Sequence, residues 1–71
     1  MSDTTLAMAE RHVAELEQRI VQQKARIDGM ARENRPKREA DLARSVLATF
    51  ETSLQRAQEH LRFERQHRWQ I

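Results

Sequence analysis

The residues best able to do chemistry lie near the end of the chain. Glu64-Arg-Gln-His67 matches Glu-x-x-His, the spacing by which di-iron and di-manganese bundles draw two ligands from one turn of helix. Glu and His three positions apart share a helix face, so a carboxylate and an imidazole can reach one ion. Two copies of the chain would supply two such pairs, and Asp3 or Glu10 would add carboxylates if the chain folds back on itself. With this many glutamates and 3 His, however, one chance match is unremarkable. Working sites also bury the motif in mid-bundle rather than at a helix end. The expectation is therefore no metal and no other cofactor, with Glu64 and His67 the residues that would take part if one bound.

His60, Phe63 and His67 recur at spacings of three and four, and His12 would face them from the other arm of a hairpin. Histidine titrates at about pH 6.5, so a pH-responsive contact is one reading. The plainer one is that these side chains border the end of a bundle, partly exposed. Arg62, Arg65, Arg68 and Trp69 form the basic–aromatic cluster of the chain, with Arg65 one turn before the indole. Such a group can grip phosphate or stack on an unpaired base, and small dimeric hairpins that bind RNA are known. Glu59 and Glu64 interrupt the basic run, which makes nucleic acid the second reading for function. Enzymatic chemistry finds no support: there is no glycine-rich loop, no cysteine nucleophile and no tyrosine.

What must position these residues is helix. From Leu6 to Met30, the residues Leu6, Ala9, Val13, Leu16, Ile20, Gln23, Ile27 and Met30 follow one another at alternating spacings of three and four. That is a heptad seam for packing against another helix. Gln23 is its polar member. It either fixes the register of the helices or bends outward to solvent. Ala7, Ala14 and Val21 make a second stripe, read equally as a close-approach surface or as alanines that favour helix. Glu15–Arg19 and Gln22–Arg26 stand one turn apart, and Glu15 before Arg19 is the favourable order for an ion pair.

Several N-cap candidates among Ser2, Asp3, Thr4 and Thr5 put the helix start near Thr4. Gly29 costs about 1 kcal/mol against Ala in a helix, but Met30 keeps the register beyond it. The break falls at Asn34-Arg35-Pro36: Asn tolerates a left-handed helix terminus, Arg35 precedes proline, and Pro36 suits a first helical turn. So short a connection makes the helices antiparallel. A second helix, about 37–68, carries the seam Ala40, Ala43, Leu47, Phe50, Leu54, Ala57, Leu61 and Glu64, and Leu42 and Val46 widen its apolar face. Against a first helix of about 4–33, each is roughly 45 Å long.

The fold expected is all-α, one domain over 1–71, an antiparallel two-helix hairpin. Its 71 residues include no cysteine, so neither disulfide nor thiolate metal site can staple it. Small chains of this kind gain the missing burial by associating, and a homodimer closing into a four-helix bundle is expected. The packing and dimer seam then comprises Leu6, Val13, Leu16, Ile20, Ile27, Leu42, Val46, Leu47, Phe50, Leu54 and Leu61, with the Leu42–Val46 shoulder left for the second subunit.

Thirteen Lys and Arg against 11 Asp and Glu give a net charge of +2. The first 34 residues sum to −1 and the rest to +3, which suits two arms of one hairpin better than a DNA-binding face. No apolar run approaches the roughly 20 residues of a membrane span, and the first residues lack the regions of a signal peptide, so the expected setting is cytoplasmic without membrane attachment.

Two stretches, Ala9-Glu-Arg-His-Val-Ala-Glu-Leu-Glu-Gln-Arg-Ile20 and Leu42-Ala-Arg-Ser-Val-Leu-Ala-Thr-Phe-Glu-Thr-Ser-Leu54, resemble short uncharacterised helical-hairpin proteins of rhizobia and related alphaproteobacteria. The runs shared with that group are here Arg11 to Ile20 and Leu47 to Glu51, and the two stretches cover about a third of the chain. The group's loop typically contains glycine, where this chain has Asn34-Arg35-Pro36. Its second helix continues into a His-x-x-His-Arg-like segment, where this chain reads Ala57-Gln-Glu-His-Leu-Arg62. The resemblance implies a bacterial, cytoplasmic hairpin and supplies no activity. The function expected is non-enzymatic: contact with itself and with an unidentified protein partner, in a regulatory or adaptor role.

Overall fold

Two helices and one tight turn make up the structure, a computed structural model that describes residues 3–68, with side chains for 4–67. Helix α1 runs Asp3–Arg32 and helix α2 runs Lys37–Arg68. They lie antiparallel as a hairpin 56 Å long and 14 by 12 Å across. Helix α1 thus starts one residue before Thr4 and ends one residue before Glu33. It passes through Gly29 without a break, and Gly29 itself has no left-handed backbone.

The turn closes through backbone bonds that cap the end of α1 and start α2. Glu33 donates its N–H to the Gly29 carbonyl at 3.0 Å as the last helical bond. Asn34 then takes the left-handed conformation, with φ of 54°. Its N–H goes to Ala31 O at 3.3 Å and the Arg35 N–H to Met30 O at 3.0 Å. This pair of bonds is the Schellman arrangement, which satisfies carbonyls that a bare helix end would leave orphaned.

Pro36 closes the turn as the N-cap of α2, immediately before Lys37, where the second helix was expected to begin. Its carbonyl accepts from Glu39 at 3.0 Å and Ala40 at 3.2 Å. A cap residue normally offers an N–H to the acid three positions on, but proline has none. The Glu39 carboxylate turns instead to Arg35 Nε at 3.0 Å, tying the turn to the first turn of α2.

The core is a single seam. Ala9, Leu16, Ile20, Ala43, Ala57 and Leu61 are its buried apolar residues, together with Gln23. Leu6, Val13, Ile27 and Met30 of α1, and Ala40, Leu47, Phe50, Leu54 and Glu64 of α2, are half-buried along the same line. These are the positions that the three–four spacing selects. Ala7, Ala14 and Val21 are exposed, so the hairpin itself makes no use of that stripe. Three of the six buried apolar residues are alanine, and no described side chain falls below 2 % exposure. The seam joins the helices but encloses little.

Candidate functional site

At the open end of the hairpin, the arms are joined by charge. Arg65 Nη2 of α2 lies 3.7 Å from Glu10 Oε2 of α1, with both side chains about half exposed (58 % and 51 %). An exposed pair of this kind contributes at most about 1 kcal/mol, so its value here is to mark which turns stand level. It also takes Glu10 away from the metal set in which sequence alone had placed it. Glu64 Oε1 lies 3.7 Å from His60 Nε2, a charge pair only when His60 is protonated. The His67 ring stacks on Phe63, with centroids 3.9 Å apart. Glu64 and His67 are therefore each engaged by another neighbour. Among the described residues no three His, Cys, Asp or Glu side chains gather as ligands would.

Of the basic cluster, Arg62 and Arg65 border a shallow hollow with Val13, Gln58 and Leu61. The side chain of Arg68 and all of Trp69 lie outside the described residues, and with them the arginine–indole contact. His12 borders Met8, Arg11 and Glu15, all from its own helix. Glu15 and Arg19, spaced for an ion pair, do not come within ion-pair distance.

In the middle of the seam, Gln23 decides between its two readings. It is 7 % exposed, and its Nε2 donates to the Ala43 carbonyl of α2 at 2.8 Å. It does not bend outward. A buried amide with a specific cross-helix acceptor resists sliding of one helix past the other, because any shift would strand its donor in an apolar seam.

The remaining feature runs along one flank, from the turn toward mid-hairpin. A groove of about 270 Å³ has Met30, Leu42, Ala43 and Val46 as its apolar lining, with Gln23, Arg26, Arg35 and Glu39 around them. A second hollow shares Gln23, Arg26 and Val46 with it and adds Arg19, Gln22 and Phe50, so the two form one continuous furrow. Leu42 is 66 % exposed and Val46 36 %. An apolar floor beside the basic edge of Arg19 and Arg26 can accept the side chains of another helix, and the Glu39 carboxylate that borders it is paired with Arg35. Arg19 and Arg26 were not singled out as site residues from sequence. Their seven-residue spacing beside the seam is the signal that would have found them.

Fold and furrow define an antiparallel helical hairpin with one open flank. Comparison of the chain with models of protein families, with curated proteins and with solved structures finds no match in any of the three.

Proposed function

We propose that the chain acts through protein contacts, as a self-associating hairpin whose two copies form an antiparallel four-helix bundle, with no enzymatic activity of its own. The observation that carries this is surface. The chain exposes 5959 Å², where a compact protein of 8.4 kDa exposes about 4,600 Å². The excess, on the order of 1,300 Å², is larger than the roughly 800 Å² that one partner covers in a standard interface. A seam half made of alanine leaves that surface without other cover.

Sedimentation equilibrium at micromolar concentration is expected to give a dimer. A monomer that is still fully helical would overturn the reading. The regulatory or adaptor role calls for a further protein, which affinity purification from the native host followed by mass spectrometry should recover; recovery of nothing specific would remove that half of the proposal. The setting we propose is bacterial and cytoplasmic, supported by the resemblance at Arg11–Ile20 and Leu47–Glu51. No helix among the described residues is long and apolar enough to cross a membrane. Binding of nucleic acid through Arg62 and Arg65 is disfavoured by the turn of Arg65 toward Glu10. A low-salt gel shift with mixed RNA and DNA is expected to show no complex.

A further inference from the structure

We infer that the second copy lies antiparallel along the furrowed flank, related by a two-fold axis passing at Ser53, so that the Leu42–Val46 shoulder of each copy meets His60 and Phe63 of the other. The inference rests on the dimer proposed above and specifies its interface. Among the described residues, five large apolar side chains are exposed on the hairpin. Four of them, Met8, Leu42, Val46 and Phe63, fall on this one flank, the side that the furrow follows. On α2 the flank is a second heptad line through Leu42, Val46, Thr49, Ser53, Arg56, His60 and Phe63. It carries Leu42 and Val46 at one end, His60 and Phe63 at the other, and Thr49, Ser53 and Arg56 between them.

That pattern is its own complement when reversed. Leu42 and Phe63 stand 21 positions apart, about 31 Å along a helix, with Ser53 at the midpoint. Turning the line end for end sets Leu42 against Phe63 and Val46 against His60, as an isologous contact requires. At the midpoint Ala48, Thr49, Thr52 and Ser53 line a shallow hollow with Arg56, so two backbones can approach closely there. Thr49 already donates its hydroxyl to the Ser45 carbonyl at 3.1 Å, so covering it strands no donor.

Helix α1 fits the same axis. The Gln23–Ala43 and Glu10–Arg65 contacts set the level of the two helices, and between them Glu17 to Arg19 stand beside Ser53. Reversal about that level brings the Glu15 of one copy alongside Arg19 and Gln22 of the other. Neither Glu15 nor Arg19 has an ion-pair partner within its own hairpin among the described residues. The two Arg19 side chains meet near the axis, one turn from both Glu15 carboxylates, which offsets their repulsion.

The chain has no cysteine, so single cysteines report the geometry directly. Under mild oxidation Ser53→Cys is expected to give a covalent dimer. Leu42→Cys and Phe63→Cys should each stay uncrosslinked alone and join when mixed, because a disulfide needs its Cα atoms within about 7 Å. All three positions are exposed or half-exposed in the hairpin, and far-UV circular dichroism checks that each variant is helical. Glu15→Lys should weaken the dimer about tenfold or more, and Glu17→Lys, on the opposite flank, by less than about twofold. A wild-type dimer in which Ser53→Cys does not crosslink, or in which Val21→Cys crosslinks in its place, overturns this interface and leaves self-association standing. A wild-type monomer overturns both.

Discussion

The two flanks of the hairpin border the same seam and are built on different terms. On one, Glu10 of α1 meets Arg65 of α2, and among the described residues Val21 is the large apolar side chain exposed along it. On the other, Arg19 and Arg26 of α1 stand over Val46 and Phe50 of α2, with Leu42 and Phe63 exposed farther along. The first flank is tied from helix to helix by an ion pair within one chain. The second has basic residues without acids across from them and apolar residues without cover. A heptad seam specifies which residues two helices bury between them, and leaves open whether either side of that seam is finished. Under the self-association proposed above, the difference between the flanks is what directs the second copy to one side of this molecule.

Substitutions can break or sharpen this contrast. The largest effect should come from the seam both flanks share. Leu16 is 3 % exposed, and Leu16→Ala should cost about 2–4 kcal/mol, enough to unfold most of the chain by urea titration. Leu42→Asp tests the open flank. At 66 % exposure it removes little from the hairpin itself, so helicity should persist while the dimer weakens about tenfold or more by sedimentation. The same charge at Gln58, on the ion-paired flank, should leave dimerisation within about twofold; an equal loss at both positions would end the distinction between them. Gly29→Ala should raise stability by about 1 kcal/mol in thermal denaturation, since its backbone is helical and a Cβ there meets nothing within 4 Å. The smallest change is expected from Glu10→Gln, which removes an exposed ion pair worth less than about 1 kcal/mol. A larger loss would mean that the ion-paired flank is held by charge rather than by the seam beneath it.

The hairpin was legible from spacing because each helix has to bury one line, and alternation of three and four names that line directly. Leu6 to Met30 and Ala40 to Glu64 are the positions that the structure buries or half-buries. The turn was legible for a different reason: Asn34 and Pro36 carry backbone preferences that neighbouring residues lack. The short turn set the axial level of one helix against the other to within about a turn, enough to bring Glu10 beside the Glu64 segment but not to name the pairs. The Gln23 bond to Ala43 and the Glu10–Arg65 pair depend on that level, and neither followed from spacing. The Glu64–His67 spacing misled in the same way. It shows that two side chains share a helix face, but their engagement by His60 and Phe63 depends on rotamers that spacing does not describe.

The turn at Asn34 also decides the order in which the pieces meet. Hairpins often dimerise by exchanging arms, each chain opening into one long rod that pairs with the opened arm of its neighbour. Here that rod would have to run helical through residues 33–36. Pro36 would then lack the N–H its position requires and would press against the Arg32 carbonyl, at a cost of about 3 kcal/mol or more. Asn34 would also give up a conformation that satisfies two carbonyls of α1. Arm exchange through one continuous helix is disfavoured for this chain. In the dimer proposed above, each copy would fold back on itself first, and association would be a docking of finished hairpins, its rate set by their encounter rather than by the opening of either one.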